Sequence, residues 1–491
     1  MRVRGYELPI GVALLAVAAA GVLAMGGGRS DPPAPGSTLK ATLRDADGDG
    51  ALEPGSAEPL VARTELGAPA PAERTLATVG IISDAHVRDE ESPARAPFLD
   101  RFGSPVDSTF RPHEALSAQV LDASVRAVRA ERPDAVLVTG DLVDNAQRNE
   151  LALALTVLRG GVARPDSGAR GYDGPQRAGN PDPLYYRPDV DAPRHPGLLA
   201  RAQRPFRATG LGARVLALLG NHDLLVQGEL PPDASTRAIA TGNRAVTGLA
   251  RRPRLPDGSD PALRIAAIRR LLTDPAPGRE RRVAADPARR EIVPREMVTR
   301  LRDAGDLPGP REALDYVADV GGSLRILALD AVDRDGGSEG RITGGQLAWL
   351  RAQLARAGRR AVIVATHQPL RSSRGGDAVL RLLDASPAVV AAVSGHTHRH
   401  RIRPRHGAGG HGYWLIETAS LADHPQQARM LRLVRTRGGR HALETWVVDH
   451  DGAGLAGLAR ELAYLDVQGG RPRRLDARRG DRNVRLGLPV G

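Results

Sequence analysis

Apolar and polar positions alternate between two periods along most of this chain. Short β-branched runs recur: Thr78–Ser83, Ala135–Thr139, Val215–Leu219, Leu324–Leu329, Ala361–Ala365 and Val389–Val393. Runs of this length, bounded by Gly, Asp or Asn, predict buried strands. Between them, Leu116, Val120, Leu121, Val125 and Val128 recur at three- and four-residue steps and predict a helix that stops before Pro133. Further helices are predicted over 147–158, 262–272, 344–357 and 378–383. After the run at 389–393 the pattern turns to β, with strands at 413–416, 428–434 and 442–448, then a helix at 455–464. Two stretches, about 159–210 and 224–320, carry Pro, Gly, Arg and Asp with little periodicity and read as long insertions. Strand, loop and helix in repetition predict an α/β protein with a mixed sheet. In such folds ligands gather just beyond the carboxyl ends of the strands.

Five of the predicted strands end in the same chemistry. They run out into Ser83-Asp84-Ala85-His86, Gly140-Asp141-Leu142-Val143-Asp144-Asn145, Gly220-Asn221-His222-Asp223, Thr366-His367 and Ser394-Gly395-His396-Thr397-His398. Any one alone reads as a turn or a solvated loop. All five together are hard to assign to turn chemistry. Asp84, His86, Asp141, Asn221, His367, His396 and His398 supply seven oxygen and nitrogen donors. That number exceeds the needs of one tetrahedral ion and suits two ions sharing a carboxylate. With no sulfur in the set, Mn, Fe or Zn is expected. Two such ions about 3.5–4 Å apart polarise an oxyanion and activate water at neutral pH.

In order, D-x-H, GDxxD, GN-H-D, a later His and G-H-x-H resemble the calcineurin-like metallophosphoesterase superfamily, over roughly residues 75–450. The resemblance implies a four-layer αββα sandwich, two mixed sheets flanked by helices. It implies that Asp84, His86, Asp141 and His398 hold one metal, and Asp141, Asn221, His367 and His396 the other. It also implies a dinuclear hydrolase of phosphate mono- or diesters, with a metal-bridging hydroxide as nucleophile. His222 would be the general acid and Asp144 the carboxylate that orients it. Asn145 and His400 are the expected substrate contacts. Residues 89–112 look additional to the family pattern and are expected to leave the metal chemistry untouched. The alternatives are a catalytically idle envelope binding protein on the same fold, or a nuclease using the same site.

Composition adds little to this and removes some options. The chain has 491 residues and no cysteine, which excludes disulfides, thiolate zinc sites and a cysteine nucleophile. Its positive charge comes almost wholly from arginine, Lys40 being the only lysine; the net charge of +12 fits nucleic acid, an acidic membrane or a phosphate substrate, with low-affinity surface electrostatics the favoured reading. Aromatics are only 3%, which argues against a stacking platform for single-stranded nucleic acid and leaves it an unfavoured substrate. Arg2 and Arg4 precede an uncharged stretch at 10–25, so residues 1–25 read as a signal peptide or a membrane anchor and the protein as exported. Residues 26–74 read as an irregular linker, 75–450 as the catalytic domain and 451–491 as a basic extension. Within the linker, Asp45, Asp47, Asp49 and Gly50 open like a calcium loop, but Ser56 stands where a closing Glu is needed, so a polar turn is expected.

Overall fold

The computed structural model describes residues 36–48, 52–102, 109–249, 261–273, 279–469 and 477–489. The apolar stretch at 10–25 and Asp49–Ala51 of the acidic turn lie outside the described residues.

Two mixed sheets dominate. The larger has seven strands in the order Val61–Arg63, Val484–Leu486, His441–Asp449, Gln427–Thr436, Ala72–Ile82, Ala135–Val138 and Arg214–Ala217. Its last three strands are mutually parallel. The smaller has six: Tyr316–Val320, Leu324–Ala328, Ala361–Ala365, Val389–Ser394, Gly412–Glu417 and Arg401–His406. Its middle four are parallel and its edges antiparallel. Ala361–Ala365 and Val389–Ser394 are buried along their whole length. That is why they read as unbroken apolar runs: a parallel strand is covered on both faces.

The sheets pack face to face, Val79, Ile81 and Leu431 of the larger joining Ile326, Ile363, Ala391 and Trp414 of the smaller in one core. The opposite face of the smaller sheet presents Leu327, Val362, Val364 and Tyr413 to Leu350 of helix Gly344–Ala355 and to Val379, Leu380 and Leu383 of helix Gly376–Asp384. Helices Ser117–Ala130, Arg148–Arg159 and Gly454–Gln468 cover the outside of the larger sheet. Gly80 faces that layer, and a Cβ there would come 2.6 Å from Val128 Cγ1, so the helix packs closely only over a glycine. The result is the expected four-layer αββα sandwich.

The domain is wider than residues 75–450. Val61–Arg63 and Val484–Leu486 are strands of the larger sheet, not linker and tail. Asn483 donates to Glu58 O at 2.8 Å, Thr38 Oγ1 donates to Val447 O at 2.8 Å, and Trp414 Nε1 donates to Gly487 O at 2.8 Å. Three-residue strands rich in Arg carry too few positions to show a period of two, so the pattern missed them. Arg401–His406 escaped for the same reason, its sequence being RIRPRH. Tyr316–Val320 and helix Pro294–Gly305 also lie inside the stretch 224–320 expected to be an insertion. The helix expected at 262–272 is present as Pro261–Thr273.

Deleting residues 451–491 therefore removes Leu462, Val484 and Leu486 from the core along with a sheet strand. Each such side chain contributes about 1.5–3 kcal/mol on burial, against a net domain stability of about 5–15 kcal/mol. The truncated chain is expected to be insoluble or to melt far below the full chain in a thermal scan. An unchanged melting temperature would mean the segment is a dispensable tail.

Candidate metal centre

All seven candidate donors follow a parallel strand. Asp84 and His86 follow Ala72–Ile82, Asp141 follows Ala135–Val138, and Asn221 opens the one-turn helix after Arg214–Ala217. His367 follows Ala361–Ala365, while His396 and His398 follow Val389–Ser394. Bringing them to one point bends the backbone hard. Ten non-glycine residues among those described have positive φ, and five of them are Asp84, His86, Asp141, His396 and His398. Each such residue is strained by on the order of 1–3 kcal/mol, which persists only where the surroundings enforce it. Gly140 takes φ 96°, and a Cβ there would lie 2.7 Å from His367 Nδ1. Gly220 has an ordinary φ but no space, since its Cβ would meet Asp141 Oδ1 at 2.1 Å.

The donors form two principal groups. Asp84, His86 and His398 make one, Asp141, His367 and His396 the other, with the donor atoms of each within 4.8 Å of one another. Asp141 lies between them: its Oδ2 is 3.0 Å from His367 Nε2 and 3.8 Å from His86 Nε2. Asn221 points Oδ1 at His367 Nε2, 3.2 Å away, because its Nδ2 donates to Gly228 O at 3.0 Å.

The imidazoles are oriented from behind. His367 Nδ1 donates to Thr139 O at 2.8 Å, His86 Nδ1 meets Asp144 Oδ1 at 3.1 Å, and His398 Nδ1 is hydrogen-bonded to Asp423 Oδ2. Each therefore directs Nε2 inward, the arrangement that fixes the tautomer of a ligating histidine. His86 Nε2 is buried with no hydrogen-bond partner in the chain, an orphan atom that a cation would satisfy. Burial, then His222, pulls the His86 imidazole down to about 4, and burial, then His367, pulls His396 down to about 3. Both are kept neutral, as a ligand must be. Burial would raise the Asp84 carboxyl, but His398 and His367 override it and hold it at about 2. For Asp141, His367 and His222 likewise outweigh burial and keep the carboxylate ionised. The reciprocal effect of the carboxylates, against burial, raises His367 to about 9 and His398 to about 10. Two carboxylates, an amide oxygen and four imidazoles fit two borderline divalent ions, with Asp141 placed to be shared.

A third group, His86, Asp144 and His222, adjoins these. His222 stands edge-on to His86 with ring centroids 4.4 Å apart, and its backbone N–H donates to Asp141 Oδ1 at 2.7 Å. Its Nδ1 donates to the backbone carbonyl of Asp144 at 2.8 Å, whereas the Asp144 carboxylate is 3.6 Å away. Asp144 thus holds His222 chiefly through its main chain, and its carboxylate serves His86. Asn145 is fully buried, accepting from Gln227 N at 2.9 Å, with its Nδ2 unpartnered. His400 lies outside all three groups: its Nδ1 accepts from Arg429 at 2.9 Å and from Ala419 N at 3.2 Å, and the residue, though buried, contributes to the lining of a groove beside Arg401–His406.

Residues 89–112 do not leave the centre untouched. Arg95, with Arg88 just before the segment, lies within 3.5 Å of the Asp144 carboxylate, and both also contact Glu114. Arg111 grips both oxygens of Asp423, the residue behind His398, with Nη2 at 3.1 Å from Oδ2. Asp423, Arg88, Arg95 and Arg111 went unnoticed because an isolated Arg or Asp in a polar stretch normally sits in solvent; only burial, at 5% exposure or less for all four, marks them out. Asp423→Asn removes the charge behind His398 and should weaken ion affinity about 10–100-fold, read by metal titration of the chelated protein. Unchanged affinity would show that His398 does not depend on this partner.

A family model described as calcineurin-like phosphoesterase matches residues 77–400. No curated protein sequence matches this chain. The crystal structure of a dimetal phosphatase from Danio rerio overlaps it with 13% identity and a TM-score of 0.39, covering 77% of this chain and 97% of that one. With the family match spanning most of its length, this chain belongs to the calcineurin-like phosphoesterase family.

Proposed function

We propose that the chain is a dinuclear metal-dependent hydrolase of phosphate mono- or diesters. The observation that carries this reading is the convergence of Asp84, His86, His398, Asp141, His367 and His396 from four separated strand ends into two donor groups flanking Asp141. Asp84, His86, Asp141 and His398 would hold one ion; Asp141, Asn221, His367 and His396 would hold the other. When bound, such a pair supplies Lewis-acid stabilisation of the phosphoryl charge and lowers the pKa of water.

The chain's own groups do the rest. His222 is the general acid. Its Nδ1–H is committed to the Asp144 carbonyl, which leaves Nε2 as the ring nitrogen to donate, and the side chain is 22% exposed. Protonating the leaving oxygen from a positioned imidazole contributes about 10²–10⁴-fold. Asp144, braced by Arg88 and Arg95, fixes His86 and the loop that carries His222. The imidazoles of His367, His86 and His398 keep their inward aim through Thr139, Asp144 and Asp423.

Chelation should abolish hydrolysis of an aryl phosphate diester, and Mn, Fe or Zn should restore it. Asp141→Asn or His396→Ala should abolish it even after reloading; wild-type turnover in both variants would sink the assignment, whereas no turnover in the reloaded wild type would leave an idle binding protein as the better reading. His222→Ala should retain metal and lose about 10²–10⁴ in rate, most with poor leaving groups. An equal loss across leaving groups would deny His222 the acid role.

A further inference from the structure

Immediately beyond the His396–His398 loop the chain forms the edge strand Arg401–His406, paired on one side only, with Gly412–Glu417. A groove of about 520 Å³ opens here, lined by Arg63, Arg399, Arg401, Arg403, Arg478 and Asp481 among others. Some arginines of this region are neutralised. Arg405, on the same strand, donates to both oxygens of Asp384 at 2.6 Å. Arg63 donates to Ile402 O and Gly480 O, at 3.1 and 2.8 Å, and lies over the Trp414 ring. Asp481, the carboxylate on the groove wall, accepts from Ile402 N at 2.8 Å. Arg399, Arg401, Arg403 and Arg478 have no carboxylate within ion-pair distance among the described residues. Burial, then the neighbouring Arg401, pulls the Arg403 guanidinium down, against the opposing pull of the Glu417 and Asp481 carboxylates.

Charged side chains guard many sheet edges, and one or two would suffice for that. Four guanidiniums without a direct ion-pair partner crowd one concavity, with Asp481 the carboxylate on its wall and Glu417 opposite Arg401 on the neighbouring strand, and an anion relieves the remaining repulsion. Guanidinium forks match phosphate oxygens two at a time. The position is also informative. Two residues, Arg399 and His400, separate His398 from Arg401, a span of at most about 10 Å, so one small molecule can reach both places.

We propose that this groove binds a second phosphate group of the substrate, so that the natural substrate carries two phosphates, one at the candidate metal centre and one against Arg399, Arg401, Arg403 and Arg478. The inference about substrate rests on the phosphoesterase reading; the anion site itself does not.

The test uses the full chain and the Arg401→Gln/Arg403→Gln double variant. With the metal-loaded enzyme, KM for an aryl phosphate diester carrying a second phosphate should rise about tenfold or more in the variant. KM for the same ester without that group, and kcat for both, should stay as in the wild type. Inorganic phosphate should bind the chelated wild type in a calorimetric titration and not the chelated variant. Equal KM shifts for the two esters would reveal general charge attraction and overturn the proposal, as would the absence of phosphate binding to the chelated wild type. Phosphate binding without discrimination in KM would overturn the substrate assignment and leave a free-anion site. If neither ester turns over in the wild type, the phosphoesterase reading fails, whereas phosphate binding to the chelated protein still reports on the groove.

Discussion

Two buried aspartates set the terms for this protein. Asp84 and Asp141 sit side by side with almost no exposure, and both are held ionised. Carboxylates stripped of water are expensive unless paired and hydrogen-bonded. Much of the nearby architecture answers that demand. Backbone N–H groups of His396 and His222 turn toward Asp84 and Asp141. His367 approaches both carboxylates, and His398 approaches Asp84. The left-handed backbone at five donor positions is the strain accepted to make these contacts.

A second ring of charge keeps the first in place. Glu114 is bound by Arg88 and Arg95, which reach on to Asp144, while Arg111 and Asp423 form a separate pair behind His398. Removing one member of such a buried pair strands the other, at about 3–5 kcal/mol. Two of these arginines come from the additional-looking segment 89–112. A stretch that looks dispensable in sequence is thus a structural wall of the site. Its arginines, inconspicuous in a polar stretch, are what contact the buried carboxylates.

The arginines elsewhere divide into two populations. Those of the inner wall, and others such as Arg405, are matched by specific carboxylates. Arg399, Arg401, Arg403 and Arg478 around the groove beside Arg401–His406 are not, although Arg63 on the same groove pairs with Glu65. In a chain carrying +12 net charge, composition does not separate these populations, because both are written with the same letter. Geometry separates them.

The features legible in the order of residues alone were local and repetitive. The β-branched runs announced the parallel core strands, because covering both faces leaves no polar alternation. Asp, Asn and His at successive strand ends announced the candidate donors, because each motif lies within a few residues of its strand. The tertiary structure decided what depends on distant partners. Val61–Arg63, Val484–Leu486 and Arg401–His406 are strands only because a neighbour supplies their hydrogen bonds. His400 continues the alternation of His396 and His398 in sequence yet lies inside the protein, because the left-handed residues before it break the alternation and Arg429 and Ala419 bind it there. Asp144 spends its carboxylate on His86 and gives its main-chain carbonyl to His222, a division that no spacing encodes. A pairing across hundreds of residues leaves no trace in either period of the chain, and burial of a charge is visible only once its partners are in place.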